Sequence, residues 1–177
     1  DFVPAQQVVC YVTGPARALL TAERAALNFL QTLSGVATLT RQYVLATQAY
    51  PAKIMDTRKT IPGLRIALKY AVSMGGGYNQ RIGLFDGILI KENHIAAAGG
   101  VRQALYAAQQ EVVQHLVPIQ IEVENLQQLQ EALDAGARLI LLDNMSLDDM
   151  RQAVQMAGSQ AELEASGGVD LTTVQAI

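Results

Sequence analysis

The chain has 177 residues, of which half are hydrophobic and 16% are charged, and its formal net charge is −3. This length and composition allow one domain with a sizeable core and exclude a disordered tail. The small negative charge gives no electrostatic basis for binding nucleic acid. Cys10 is the single cysteine, so no internal disulfide can form and we expect a reducing cytoplasm. We expect no membrane association, because neither a spanning stretch nor a signal peptide is visible.

The first part of the chain is predicted to be a β-rich segment followed by helix. Residues 7–13 favour a strand that ends at Gly14-Pro15, a strong break. Helix formers dominate residues 19–49, with an apolar stripe that is interrupted near Ser34-Gly35. This pattern predicts two helices or one kinked helix.

From residue 53 onwards strands and helices alternate, which indicates a parallel sheet with helical crossovers. Both an open doubly wound sheet and a closed α/β barrel agree with this alternation. The predicted strands cover residues 53–56, 87–91, 118–123, 138–142 and 161–165. The predicted helices cover residues 64–74, 101–115, 126–134 and 147–157, and one more follows Gly167-Gly168.

The alternation of side chains along the strands favours the barrel. Gln120, Glu122 and Glu124 share one face of their strand, and Glu162 and Glu164 share one face of theirs. One polar face per strand suits a barrel with a wet interior mouth, whereas a sheet covered by helices on both sides would be apolar throughout. Because an unpaired buried carboxylate is costly, these groups must meet cations, a metal or a ligand.

A basic turn follows the first predicted strand. Asp56 precedes Arg58, Lys59 and Arg65, and Pro62-Gly63 fixes a reversal among them. Arginine grips carboxylate or phosphate as a planar fork and lysine supplies a point charge, so the turn predicts an anion site. The alternative is a solvated basic turn.

Groups capable of chemistry follow each later predicted strand, which is where barrel enzymes carry their catalytic residues. They are Lys91, Glu122, Asp143 and the pair Ser166-Gly167. Lys91 could instead be a strand-end lysine that reaches water, and Glu122 and Asp143 could be structural ion-pair partners. Two carboxylates at one mouth could also hold Mg²⁺, often through water.

Three further features have simpler explanations. His94 is more typical of a hydrogen-bonded structural histidine than of a catalytic base, and His115 is typical of a helix end. Gly75-Gly76-Gly77 lacks the ending of a P-loop and indicates a helix stop. Ser166-Gly167-Gly168, ahead of a predicted helix, is the better candidate for binding phosphate through backbone N–H groups.

Segments along nearly the whole chain resemble the quinolinate phosphoribosyltransferase family. The two most specific are Asp56-Thr57-Arg58-Lys59-Thr60-Ile61-Pro62-Gly63-Leu64-Arg65 and Lys91-Glu92-Asn93-His94. The other matching segments are residues 20–28, 33–38, 69–72, 75–77, 89–90, 121–126, 141–144 and 166–169.

This resemblance implies an activity and an architecture. Members transfer phosphoribosyl from phosphoribosyl pyrophosphate to quinolinate and release CO₂, which gives nicotinate mononucleotide and pyrophosphate on the route to NAD. They use Mg²⁺, are commonly homodimers and have a seven-stranded α/β barrel beside an N-terminal α/β domain. On this basis we assign residues 1–20 to the end of the N-terminal domain and residues 21–177 to the barrel domain, with its last strands missing.

The resemblance also implies roles for individual residues. Arg58, Arg81 and Lys91 would hold the two carboxylates of quinolinate, while Lys59 would meet phosphoribosyl pyrophosphate. Lys91, Glu122 and Asp143 would be catalytic, and the two acids would also serve the metal. The remaining substrate-binding residues would be Arg24 from the partner subunit, Gln80, and Ser166 with Gly167 for phosphate.

One position departs from the family pattern. Gln80 stands where the family has histidine, and glutamine can donate a hydrogen bond but cannot become charged near neutral pH. This departure keeps open a relative with another acceptor, such as nicotinate phosphoribosyltransferase or a homologue from molybdate-transport clusters. A non-catalytic barrel that binds an anion is the alternative from another class.

Overall fold

The computed structural model describes residues 2–112 and 117–177. His115 and the last turn of the helix predicted for residues 101–115 lie outside the described residues. The elements in chain order are α1 (Ala16–Thr47), α2 (Arg65–Met74), β1 (Ile88–Ile90), α3 (Glu92–Ala98), α4 (Val101–Val112), β2 (Ile119–Val123), α5 (Leu126–Asp134), β3 (Leu139–Asp143), α6 (Leu147–Ala157) and β4 (Glu162–Ser166).

The four strands form one parallel sheet in the order β1-β2-β3-β4. The register pairs Ile90 with Ile121, Glu122 with Leu141, and Leu141 with Glu164. Each strand therefore lies beside the next one in the chain, as in the wall of an α/β barrel, whereas a doubly wound sheet reverses its strand order. The α/β class predicted from the sequence is confirmed.

One face of this sheet forms the hydrophobic core. Ile121, Val123 and Ile140 are fully buried against the helices, where Leu129 and Ala153 are also fully buried. The alternation predicted for the strand at residues 118–123 is confirmed, since Gln120 and Glu122 point away from this core. The apolar face is thus covered by helices, and the opposite face is left to polar side chains.

Side-chain caps start the helices directly after the strands. Asn125 accepts a hydrogen bond from the Gln128 N–H at the start of α5, and Ser146 accepts one from the Asp149 N–H at the start of α6. These short connections keep the carboxyl ends of the strands at one rim of the sheet.

The first predicted strand, at residues 53–56, is wrong as a strand of the sheet. Met55 makes only an isolated parallel bridge with Tyr78, a partner that the sequence did not indicate. Gly75 ends α2 as predicted, and the two residues after it turn the chain back, which brings Tyr78 beside Met55. A strand needs several consecutive paired residues, and here only one pair forms.

Both ends of the chain also differ from the sequence prediction. Residues 7–13 form no strand in the described structure, and Val9 and Tyr11 there are exposed without a partner ladder. The stretch after Gly167-Gly168 forms hydrogen-bonded turns rather than a regular helix. Thr172, Thr173 and Val174 are β-branched, which disfavours helix, and the Asp170 side chain accepts from two of their N–H groups.

Two helices also differ from the sequence prediction. α1 runs as one helix through Ser34-Gly35, where an interruption was predicted. α3 was not predicted, and it ends at Gly99, whose φ of 87° is the left-handed conformation typical of a helix terminus. No helix among residues 2–112 and 117–177 has both the length and the apolar character needed to cross a bilayer.

The contact between α1 and α2 depends on a missing side chain at Gly75. A Cβ there would lie 2.5 Å from the Ala37 carbonyl oxygen and 2.7 Å from Thr40 Cβ. We expect Gly75→Ala to lower the free energy of unfolding by about 1–3 kcal/mol, because backbone must move. Gly35→Ala is the matched control: no atom lies within 4 Å of its Cβ, so it should be neutral or stabilise by up to about 1 kcal/mol. Urea unfolding measures both, and equal effects would contradict the packing argument.

Candidate active site

The polar face of the sheet carries a buried carboxylate with a cationic partner. Glu122 on β2 is 8% exposed. Its Oε2 accepts a hydrogen bond from Lys91 Nζ at 2.9 Å, at the end of β1. The lysine side chain is 45% exposed, so the pair stands between the core and solvent. The two groups balance each other's charge, and the ammonium still has N–H groups to offer an anion.

His94 holds the backbone of this lysine. Its Nδ1 accepts a hydrogen bond from the Lys91 N–H at 3.0 Å, and the first turn of α3 closes with the His94 N–H on the Lys91 carbonyl at 2.8 Å. The ring is therefore a helix cap, in agreement with the structural role that the sequence favoured.

The ends of β3 and β4 form a second part of the rim. Asp143 lies opposite Ser166 in the register, and the Asn144 N–H donates to the Ser166 carbonyl at 2.9 Å. Gly167 has φ of 92° and lies so close to the Asn144 side chain that a Cβ would collide with it. Asn144 and Gly167 also border a cavity of about 340 Å³. Asp143 and Glu122 lie on adjacent strands on the same face of the sheet, two residues apart in register.

Gln80 belongs to the chain segment that follows α2, and its side chain lies against the polar face of the sheet. Its amide group donates to the Glu164 carboxylate on β4 and contacts Gln120 Oε1 on β2 at 3.4 Å. Gln120 also donates to Glu164, at 2.8 Å. These three side chains line a cavity of about 350 Å³ together with Arg81. Glu164 is therefore held by neutral amides, without a cationic partner among the described residues.

Arg81 borders this cavity, and its pKa responds to the charge of Arg58. Burial lowers the pKa of Arg81, the positive charge of Arg58 lowers it further, and Asp86 opposes both. Arg81 Nη1 donates to the Gly87 carbonyl at 2.8 Å. The buried Nε of Arg58 has no hydrogen-bond partner among the residues that the structure describes. Buried donors are nearly always paired, so this Nε is a donor whose partner the described residues do not supply.

The third cation of the basic turn has a structural task. Arg65 donates to Thr60 Oγ1 at 3.1 Å, to the Ile82 carbonyl at 3.0 Å and to the Arg58 carbonyl at 3.3 Å. It ties the turn to the segment after Arg81. The reversal at Pro62-Gly63 is present, with a φ of 79° at the glycine.

Lys59 and Arg24 stand apart from these groups. Both are exposed, and neither side chain has a hydrogen-bond or ion-pair partner within residues 2–112 and 117–177. Arg24 lies in the first half of α1, a helix whose apolar side chains Leu20, Phe29 and Leu30 are also exposed.

The structure therefore joins some of the predicted residues and separates others. It pairs Lys91 with Glu122 and places Asp143 opposite Ser166, and Arg65 links the segments of Arg58 and Arg81 by donating to the Arg58 and Ile82 carbonyls. Arg81 bonds to Gly87 at the start of β1 while Lys91 follows its end, roughly 13 Å away at about 3.3 Å per residue. The row Lys91, Glu122, Leu141 and Glu164 on the polar face connects the two regions.

Sequence reasoning missed Asp86 as a part of this site and assigned no role to Gln120 or Glu164. The alternation of polar side chains did indicate that Gln120 and Glu164 face away from the core. Their contact with Gln80 was not visible, because 40 and 84 residues separate them along the chain.

Asp86 closes the loop between Arg81 and β1. Its carboxylate accepts from the N–H groups of Ile82 at 2.7 Å and Gly83 at 2.8 Å. The Ile82 bond, then the Gly83 bond, lower the pKa of Asp86; burial opposes them, and the charge of Arg81 adds to the lowering.

Asp86 should therefore make the stability depend on pH in acid. A carboxyl whose pKa is lower in the folded state contributes stability above its unfolded pKa of about 3.9, and loses it as the pH falls through the folded value. We expect the difference in unfolding free energy between the protein and Asp86→Asn to be largest above about pH 4 and to shrink below it. Urea unfolding across this range measures it, with Asp148→Asn on the exposed start of α6 as control. A difference that does not change with pH would contradict the loop's dependence on this carboxylate.

Comparisons with known proteins agree with this geometry. Residues 36–177 match the family model of the quinolinate phosphoribosyl transferase C-terminal domain, and residues 1–34 match the model of its N-terminal domain. The chain is 47% identical over 176 residues to a probable nicotinate-nucleotide pyrophosphorylase [carboxylating] of Bacillus subtilis, which covers 99% of the chain and 61% of the relative. A Synechocystis protein described in the same words is 45% identical, over 99% of the chain and 60% of the relative.

Solved structures give the same result. NadC from Streptococcus pyogenes has a TM-score of 0.87 at 47% identity, covering 92% of this chain and 56% of that one. The nicotinate-nucleotide pyrophosphorylase from Francisella tularensis has a TM-score of 0.87 at 48% identity, covering 91% and 57%. The chain thus spans about three fifths of the length of the relatives it matches. It belongs to the quinolinate phosphoribosyl transferase family.

Proposed function

We propose that the protein transfers a phosphoribosyl group from phosphoribosyl pyrophosphate to the ring nitrogen of quinolinate and releases CO₂, giving nicotinate mononucleotide and pyrophosphate for NAD biosynthesis. Family membership supports the reaction class. The observation that carries the proposal is the buried Arg58 Nε without a partner among the described residues, next to the charge of Arg81. Quinolinate carries two adjacent carboxylates, and paired guanidinium groups suit such a dianion.

In this proposal the cations bind and orient the acceptor. Arg58 and Arg81 would hold the dicarboxylate from the side of Gly87, and Lys91 would meet the reactants with its partly exposed ammonium at the other end of β1, where it pairs with Glu122. Gln80 supplies an amide beside Arg81, and the exposed Lys59 is free to meet phosphoribosyl pyrophosphate. Ser166 and Gly167 would bind a phosphate through the hydroxyl and backbone N–H groups at the end of β4.

The two acids would act at the ribose. As C–O cleavage releases pyrophosphate, positive charge develops on the sugar, and the carboxylates of Glu122 and Asp143 would stabilise it. The electron pair of the ring nitrogen forms the new C–N bond, which leaves that nitrogen positive. The positive ring then accepts the electron pair of the breaking C–CO₂⁻ bond, and a proton from solvent replaces the lost carboxylate.

The residues present fit Mg²⁺, which the family relationship implies. The donors are oxygens, and no group of three His, Cys, Asp or Glu side chains clusters within the described ranges. Magnesium usually keeps several waters and takes one or two carboxylates plus substrate phosphates, so Glu122 and Asp143 would hold it directly or through water. When bound, it would neutralise charge on the departing pyrophosphate.

We further propose a homodimer in which Arg24 reaches the partner's site. The exposed position of Arg24 on a long helix with exposed apolar side chains supports an interface there. We place the protein in the cytoplasm, where a lone cysteine such as Cys10 stays reduced.

A related transferase with another acceptor is the second candidate. Gln80 favours it, because this amide is already hydrogen-bonded to Glu164 and cannot supply a positive charge to a carboxylate. An assay of the native-length protein with phosphoribosyl pyrophosphate, Mg²⁺ and either quinolinate or nicotinate decides between them. Release of CO₂ with quinolinate supports the first proposal, turnover with nicotinate alone supports the second, and binding without turnover indicates a non-catalytic anion-binding barrel.

Arg58→Ala should weaken the binding of quinolinate more than the binding of phosphoribosyl pyrophosphate. Loss of a charge-assisted contact of about 1.5–3 kcal/mol corresponds to about 10- to 100-fold in Kd for quinolinate. Calorimetry of each substrate measures the two losses. Arg102→Ala is the matched control, since this exposed arginine on α4 pairs with Asp134 on α5, in the helical layer on the other side of the sheet. Equal losses for both substrates would contradict the role assigned to Arg58.

Asp143→Asn should lower kcat more than it raises the KM for quinolinate. The substitution keeps the shape but removes charge that the proposal uses only when the sugar becomes positive, so we expect about 10²- to 10³-fold in kcat. Steady-state kinetics of CO₂ release measures it, with Asp148→Asn as control. Unchanged turnover would assign Asp143 to structure.

A further inference from the structure

A buried ion pair lies next to the two chain segments that carry Arg58 and Arg81. Lys69 Nζ in the middle of α2 is 2.5 Å from Asp56 Oδ1, and the two side chains are 5% and 8% exposed. In each of the other ion pairs of the described residues, at least one partner is 45% or more exposed. Nothing in the proposed reaction requires either residue to touch a substrate.

The pair forms hydrogen bonds with both main-chain polar groups of Gln80. The Gln80 N–H donates to Asp56 Oδ1 at 2.8 Å, and Lys69 Nζ donates to the Gln80 carbonyl at 2.7 Å. Asn79 completes the cluster, because its amide donates to Asp56 Oδ2 at 2.7 Å and to the Lys69 carbonyl at 2.9 Å. A buried charge pair with these additional bonds is a rigid arrangement.

This cluster connects the two chain segments that supply the arginines. Asp56 lies two residues before Arg58, and Gln80 lies directly before Arg81. These segments are joined by the isolated bridge between Met55 and Tyr78. Arg65 also joins these segments, since it donates to the Arg58 carbonyl at 3.3 Å and to the Ile82 carbonyl at 3.0 Å. The like charges of Arg58 and Arg81 oppose each other, so holding their segments together needs an anchor, and the buried ion pair can supply it.

We propose that Asp56 and Lys69 are positioning residues that hold Gln80 and thereby set the distance between Arg58 and Arg81 for a dicarboxylate acceptor. The inference rests on the proposed function for the identity of that acceptor. The spacing of two carboxylates on one ring is fixed, so the arginines must be held at a matching distance before the ligand arrives. Loss of the anchor should therefore affect the dianion selectively.

The test compares Asp56→Asn, the double variant Asp56→Asn/Lys69→Met and the conservative Lys69→Arg in the native-length protein. Asp134→Asn, which breaks an exposed ion pair, is the matched control. We expect the first two variants to raise the KM for quinolinate by about 10- to 100-fold, with kcat and the KM for phosphoribosyl pyrophosphate changed less than about threefold. Lys69→Arg should retain most of the parent's affinity for quinolinate, because it keeps the buried positive charge.

Amide hydrogen exchange gives a readout that does not depend on activity. The Gln80 N–H should exchange faster in Asp56→Asn than in the parent, and the core strands should keep their protection. If the parent protein binds quinolinate and the variants bind it equally well, or lose both substrates equally, the positioning role is wrong. If Gln80 exchanges as slowly as in the parent, the anchor is wrong as well.

The outcomes also separate this inference from the proposed function. A parent protein that does not bind quinolinate, together with faster Gln80 exchange in Asp56→Asn, overturns the proposed acceptor and supports the anchor. Should Asp56→Asn fail to fold, the double variant, which leaves no unpaired buried charge, and Lys69→Arg decide between the outcomes.

Discussion

The alternation of side chains in a parallel sheet is the constraint on which this structure depends. Ile121 and Val123 are buried against helices, and Gln120 and Glu122, which alternate with them along β2, must point to the other face. The same strands therefore supply stability on one side and chemistry on the other. A shift of one residue in register would exchange the two faces, so the packing of the core also fixes the direction of the charged groups.

The charged groups on and beside the polar face have partners of different kinds. Glu122 pairs with the cation Lys91, and Glu164 accepts hydrogen bonds from neutral amides. The positive charge of Arg58 acts on Arg81 and lowers its pKa. The cavity that Arg81 lines is also bordered by the carboxylates of Asp86, Glu162 and Glu164, so its lining brings one cation together with several anions.

The sequence predicted the regular part of the fold well. The bounds of α5 and α6 agree with the prediction, because capping residues and the glycines that follow mark their ends locally. It did not predict the bridge between Met55 and Tyr78, whose partner lies 23 residues along the chain. The exposed residues 7–13 show the reverse error, since β-forming composition without a partner strand does not make a strand.

The amino-acid sequence by itself determined the α/β alternation, the polar face of the sheet and the group of cations in the turn after residue 56. These follow from periodicity and residue chemistry, which act over a few neighbouring positions. Only the tertiary structure decided which groups meet: Lys91 with Glu122, Gln80 with Glu164, and Asp56 with Lys69. Each of these contacts joins residues from different elements, and their geometry is set by the packing of helices on the sheet and of α1 on α2 rather than by local propensity.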